Sequence, residues 1–239
     1  MKTASKLACI LLLVCSAALP ALANNNAYIY VRSNVNLPWG QTTNENAMDS
    51  VFGVGNWTTM YYETLSVGDL LSSSTLFVFM EGGDSSYDAF ADFITSHDDP
   101  ILNWVTGGGR LLVMAAPNNP LSGADLTLPD NIVLHADSFY GSAASSAYAV
   151  DISNQIFSGP YSTSYSFTGD FFAHGYFSGA KVQPIMQSNL NEVVLAQDRV
   201  SAGLMVIGGL TTDNFHFPQP SAHALLINII YYSATVLLH

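Results

Sequence analysis

Residues 74–120 read STLFVFMEGGDSSYDAFADFITSHDDPILNWVTGGGRLLVMAAPNNP, and the fold class follows from the order of their patterns. An apolar run at 76–80 meets the turn Gly82-Gly83. Tyr87, Phe90, Ala91 and Ile94 then recur at the spacing that places side chains on one face of a helix. Asp98-Asp99-Pro100 has the form of an N-cap followed by proline in the first turn, so a restart of the helix is predicted there, with Ile101, Leu102 and Val105 on its buried side. Gly107-Gly108-Gly109 stops it and turns the chain into a second apolar run at 110–115. Strand, crossover helix, strand is the order of a parallel βαβ unit.

On the N-terminal side of this unit, Tyr28, Ile29, Tyr30 and Val31 form a β-branched and aromatic run that suits a first parallel strand. A short helix is expected over 44–52, ended by Gly53 and Gly55, then a strand at 57–62 and a brief helical turn at 65–71. Residues 118–180 are rich in Ser, Gly, Asn and Tyr and carry weak periodicity, so an irregular or β-rich insertion is expected there, with a short strand at 132–134. Strand-like runs return at 181–186, 193–196 and 204–207. The segment 223–238 is apolar nearly all round, as a helix buried against a sheet would be. Asn228, Tyr231, Tyr232 and Ser233 and its shortness argue against a membrane anchor.

The N-terminus combines Lys2 and Lys6 with an apolar core at 7–19 and ends in Ala21-Leu22-Ala23, the small-x-small pattern of a signal-peptide cleavage site. Residues 1–23 are therefore expected to be removed, leaving 24–239 as a single domain, secreted or periplasmic, with no membrane span. A lipoprotein reading through Cys15 is weaker, because Val14 precedes it. Both cysteines, Cys9 and Cys15, lie in the leader, which excludes a disulfide, a thiol nucleophile and a thiolate metal site from the mature chain. Cleavage leaves Arg32, Arg110, Lys181 and Arg199 against 18 acidic residues. Nucleic acid and anionic membranes need clustered cations and are not expected partners.

The strand ending in Gly82-Gly83, the Asp/Ser/Tyr-rich helix after it, the run Gly107-Gly108-Gly109-Arg110-Leu111-Leu112-Val113, and the late Gly203-Leu204-Met205-Val206-Ile207-Gly208-Gly209 with a C-terminal helix resemble the class I glutamine amidotransferase-like superfamily, in its ThuA-like and degenerate branches. The resemblance implies an α/β fold with a mainly parallel, flavodoxin-like sheet flanked by helices. It also implies a nucleophilic cysteine at the turn after 110–115 and a His-x-Glu pair near the C-terminus. This chain has Ala115-Ala116-Pro117 at the first place and Thr211-Thr212-Asp213-Asn214-Phe215-His216 at the second. A methyl group cannot attack a carbonyl, so amidotransfer is excluded and a catalytically degenerate member is expected.

Parallel sheets bind ligands at the carboxyl ends of their strands. That rim would carry Ser33, Asn34, Glu63, Glu81, Gly82, Gly83, Asp84, Asn118, Asn119, Thr211, Thr212, Asp213 and His216. Glu81, Asp84, Asp213 and His216 are the candidates for acid–base work. Ser33, Asn34, Glu63, Gly82, Gly83, Asn118 and Thr212 are the candidate ligand contacts, although strand ends are also polar simply because they meet water. Gly82-Gly83 ahead of a helix would expose N–H groups to an anion, unless Asp84 is merely that helix's N-cap. The six histidines show no metal-binding spacing, and His174, among aromatics, is the next candidate after His216. No Gly-x-Ser-x-Gly elbow occurs. No metal or cofactor is expected.

Three functions remain open. One is a secreted non-catalytic module binding a small ligand, glycan or protein. Another is a carbohydrate-active or metal-assisted hydrolase, which requires Glu81 or Asp84 to meet Asp213 and His216 in one pocket. The third is a structural component of the cell surface, for which aromatic surface residues would form contacts between copies.

Overall fold

A computed structural model describes residues 27–118, 125–136 and 144–238. The expected leader, residues 1–23, and Asn119 lie outside them. The fold is α/β, built on a mixed nine-stranded sheet with helices on its faces.

Five strands run parallel: β1 (Tyr28–Arg32), β2 (Thr58–Tyr61), β3 (Phe77–Glu81), β4 (Arg110–Met114) and β12 (Gly203–Gly208), in the order β2-β1-β3-β4-β12. Their residues alternate between two core clusters. Tyr30, Phe77, Phe79, Leu112, Leu204 and Val206 face one side, and Ile29, Val31, Val78, Met80, Leu111, Val113, Met205 and Ile207 the other. Both faces are buried, which is why these runs are apolar without a break. The first side is covered by α1 (Thr43–Phe52) and α4 (Gln219–Thr235), which also pack on each other. The second is covered by α3 (Tyr87–Thr106) and by a three-stranded sheet of β5 (Leu126–Leu128), β6 (Ile132–Ala136) and β9 (Gly175–Ser178). A single turn of helix, α2 (Val67–Leu70), precedes β3, capped by the Ser66 hydroxyl.

The predicted restart at Asp98-Asp99-Pro100 is present, as two helical segments that meet in a kink at His97, directly before those residues. The helix α3 runs on through Pro100, and its irregularity is at His97, whose backbone leaves helical values (φ −134°, ψ 22°) while its ring bonds the Phe93 carbonyl at 2.9 Å. Proline disfavours a helical conformation in the residues just before it and removes one N–H, so the break sits upstream of the ring.

The expected insertion is β-rich and serves both sheets. Its strands β7 (Ala144–Ala149) and β8 (Ser166–Ala173) extend the main sheet antiparallel, beyond β10 (Gln183–Ser188) and β11 (Val193–Val200), and β9 joins the smaller sheet. The chain goes from β1 out to β2 and back to β3, so the strand order reverses at β1. The crevice for a ligand belongs at the carboxyl end of that reversal. Among the described residues no helix is long and apolar enough to cross a membrane.

Candidate functional site

At the end of β3, the loop carrying Gly82 and Gly83 is laid against the end of β4. The Gly82 N–H donates to the Met114 carbonyl (2.7 Å), Asp84 to the Ala116 carbonyl (3.1 Å) and Ser86 to the Gly83 carbonyl (3.0 Å). The Gly83 N–H donates to Glu81 Oε1 at 2.6 Å. These donors are spent within the chain, so the loop does not offer an anion the open N–H groups that its sequence suggests. A Cβ on Gly83 would stand 2.6 Å from Glu81 Oε1, so only glycine lets the carboxyl fold back.

Asp84 is not a helix N-cap. It sits at φ +47°, in the left-handed region, and its carboxylate accepts from the Trp39 N–H (3.0 Å) and from Asn118 Nδ2 (3.2 Å). It thereby ties the loop after β1 to the loop after β4.

Glu81 is buried, and its second oxygen accepts from Asn44 Nδ2, which α1 presents. Burial pushes its pKa up to about 8 in spite of those two donors, so the carboxyl is protonated near neutrality. Opposite, the loop after β12 supplies Thr211, Thr212, Asp213 and His216, all buried. The His216 ring stacks on Phe172 with centroids 4.0 Å apart, and its Nε2 lies 3.1 Å from the Phe172 carbonyl and 3.0 Å from Thr211 Oγ1. Burial lowers its pKa to about 4, so this imidazole is neutral and donates its proton to the carbonyl. Asp213 Oδ2 meets His223 Nδ1 at 2.7 Å, and Thr212 Oγ1 meets Thr43 Oγ1 at 2.8 Å.

Glu81, Thr212, Asp213 and His216 line one cavity with Trp39, Asn44 and the apolar face of α4, but its volume is only about 20 Å³. That is room for about one water molecule. Ser33, Asn34 and Glu63 form a separate group that lines neither this cavity nor the cleft beside it: the Ser33 hydroxyl and the Asn34 N–H both donate to the Glu63 carboxylate, at 2.5 and 3.1 Å. Burial works against ionisation of Glu63, but those bonds and nearby Arg32 outweigh it and hold its pKa below the ordinary value.

Trp39 is also one wall of a larger cleft, about 450 Å³, that opens beside the cavity and is lined by Asn118, Phe171, His174, Asn214, Phe215 and Phe217. Phe171, Phe215 and Phe217 are 47%, 37% and 54% exposed. Trp39 stands at right angles to Phe215 (5.8 Å, 84°) and 5.4 Å from the buried His174 ring, which Phe171 stacks on the other side at 5.5 Å. Two of these walls, Trp39 (φ 57°) and Phe171 (φ 58°), adopt backbone values that bulky residues avoid, as does Asp84 behind them. Of the expected contacts only Asn118 and the secondary candidate His174 belong to this cleft. Its aromatic walls come from three separate segments, the turn after β1, the end of β8 and the loop after β12, so no single stretch of sequence announces it.

Among the described residues no group of three or more His, Cys, Asp or Glu side chains is disposed to hold a metal ion.

No family model and no curated protein matches the sequence. Solved structures do match in fold. A GMP synthase-like protein of Thermoplasma acidophilum aligns over 85% of this chain and 93% of its own, with a TM-score of 0.54 at 10% identity. A cytoplasmic protein of Salmonella typhimurium aligns over 87% and 99%, with a TM-score of 0.53 at 11% identity. A ThuA-like protein of Parabacteroides merdae follows at a TM-score of 0.45 and 11% identity over 87% of this chain and 89% of its own. The chain shares the class I glutamine amidotransferase-like fold.

Proposed function

We propose that the chain is a secreted, non-catalytic binding module on this amidotransferase-like fold, and that it takes its ligand in the cleft walled by Trp39, Phe171, Phe215 and Phe217. The observation that carries the reading is the contrast between two neighbouring spaces. The titratable groups Glu81, Asp213 and His216 surround a space for about one water, and each already has a partner within the chain. The roomy space beside it is aromatic, with few polar groups, which is the composition of a ligand site rather than of an acid–base centre. The turn where the fold's nucleophile would stand carries buried Ala115 and Ala116. Cleavage after Ala23 would export such a module.

A ligand found in a small-molecule screen of the mature chain is expected to lose at least about tenfold in affinity, near 1.4 kcal/mol, on Phe217→Ser or Trp39→Ala, and to bind Glu81→Gln as it binds the wild type. Binding that survives both aromatic substitutions places the ligand elsewhere and overturns the reading.

The second reading is a hydrolase, favoured by one fact: Glu81, Asp213 and His216 do share a cavity, and Glu81 holds its proton near neutral pH as a general acid must. It requires the wall at Trp39 to move so that substrate can reach the carboxyl. Turnover abolished by Glu81→Gln would establish it.

A further inference from the structure

Resting on the reading of the aromatic cleft as the binding site, we infer that its occupant is an organic cation of the quaternary or methylated ammonium class. Four aromatic rings line the cleft, and two of them, Trp39 and Phe215, meet at right angles there (5.8 Å, 84°), so a compact guest beside that pair is near two rings. A cation over such rings is attracted by the ring quadrupole, most strongly where water is partly excluded. The polar groups of the lining point the same way. Asn118 Nδ2 donates to Asp84 Oδ1 (3.2 Å) and Asn214 Nδ2 to Gln41 Oε1 (2.8 Å), so each amide already has one donor engaged within the chain.

Among the described residues no Lys or Arg lines the cleft, and burial keeps the His174 imidazole less basic than usual. The Asp84 carboxylate lies close enough to act on His174, and the whole chain carries a net charge of −12. The field at the cleft therefore favours a positive guest.

The other small-molecule classes fit less well. An anion finds no Lys or Arg among the described lining residues. A pyranose brings several hydroxyls, each wanting a donor and an acceptor, into walls that are mostly hydrocarbon, where unpaired hydroxyls are costly. A quaternary ammonium has no hydrogen bonds to satisfy, and its methyl groups carry the charge onto the rings.

The experiment is isothermal titration of the mature chain with choline chloride, with its neutral carbon isostere 3,3-dimethylbutan-1-ol and with glucose, repeated on Phe217→Ser. Phe217 is more than half exposed, so its replacement leaves the core intact. The expected result is choline binding at least about tenfold tighter than the isostere, weaker as salt is raised, with glucose silent and choline affinity cut about fivefold or more by Phe217→Ser. Equal binding of choline and isostere, or no choline binding, overturns the cation inference. In that case a different ligand whose binding is lost in Phe217→Ser leaves the cleft itself standing as the site. If ligands bind and Phe217→Ser weakens none of them, the cleft fails along with the cation.

Discussion

Glu81 concentrates the chemistry of the inner cavity in one side chain, and its burial sets a pH dependence that can be worked out in sign. Its folded-state pKa of about 8 lies above the ordinary 4.5, so below pH 4.5 the group is protonated in both states and is no burden. Between 4.5 and about 8 the unfolded chain ionises it and the folded chain does not, so its contribution to stability falls as pH rises, by up to about 1.4 kcal/mol per pH unit. Glutamine mimics the neutral form and removes the effect. His216, with a pKa near 4 against 6.5, works oppositely: its contribution is lost as pH falls from 6.5 toward 4. Asp198, raised to about 6 chiefly by burial and by the neighbouring Asp130 carboxyl, again loses stability upward from 3.8. The wild-type curve mixes these with other shifted groups, Glu63 and His174 among them, and the difference between wild type and Glu81→Gln isolates one. Thermal melts of the two proteins from pH 4.5 to 8.5 are expected to show the variant gaining steadily on the wild type as pH rises. Parallel curves would mean that Glu81 is ionised in the folded protein.

Among the elements, the parallel core rests on close backbone approaches that its glycines permit. Gly203, at the start of β12, lies where an added Cβ would stand 1.9 Å from the Val105 carbonyl at the end of α3. Backbone cannot give way as a side chain can, so Gly203→Ala is expected to destabilise by about 1–3 kcal/mol, read as a fall in the urea midpoint. An unchanged midpoint would show that α3 is free to move off the sheet. These elements were legible in the sequence for a physical reason: β1, β3, β4 and β12 are buried on both faces, so their apolar runs are unbroken and glycine punctuates them. Strands β7 and β8 were not, since β7 reads ASSAYA and β8 contains Gly169 and Asp170, patterns that resemble loop. Their assignment to the main sheet comes from the pairing of β7 with β10 and of β8 with β7, which no local pattern encodes. The break in α3 was legible as an irregularity before Pro100, and its placement at His97 follows from where the proline ring crowds the preceding turn.

For the molecule as a whole, the position of a cavity was legible and its size was not. The rim rule led to Glu81, Asp213, Thr212 and His216, which do line one cavity, but composition could not show that the cavity holds about one water. Residue type also could not show that Ser33, Asn34 and Glu63 bind each other instead of turning to the same space. The aromatic cleft escaped because Trp39, Phe171 in β8, and Phe215 with Phe217 lie on three segments far apart in sequence, brought together only by the finished sheet. Binding without chemistry is best tested by proton–nitrogen NMR of the mature chain during a small-molecule screen. The three tryptophans give separate indole signals, and the one at Trp39 reports on the wall shared by the cleft and the inner cavity. Ligands are expected to shift the Trp39 signal while their own resonances stay unchanged over days of incubation. New product resonances that grow with time in the wild type, and are absent with Glu81→Gln, would instead make the protein an enzyme.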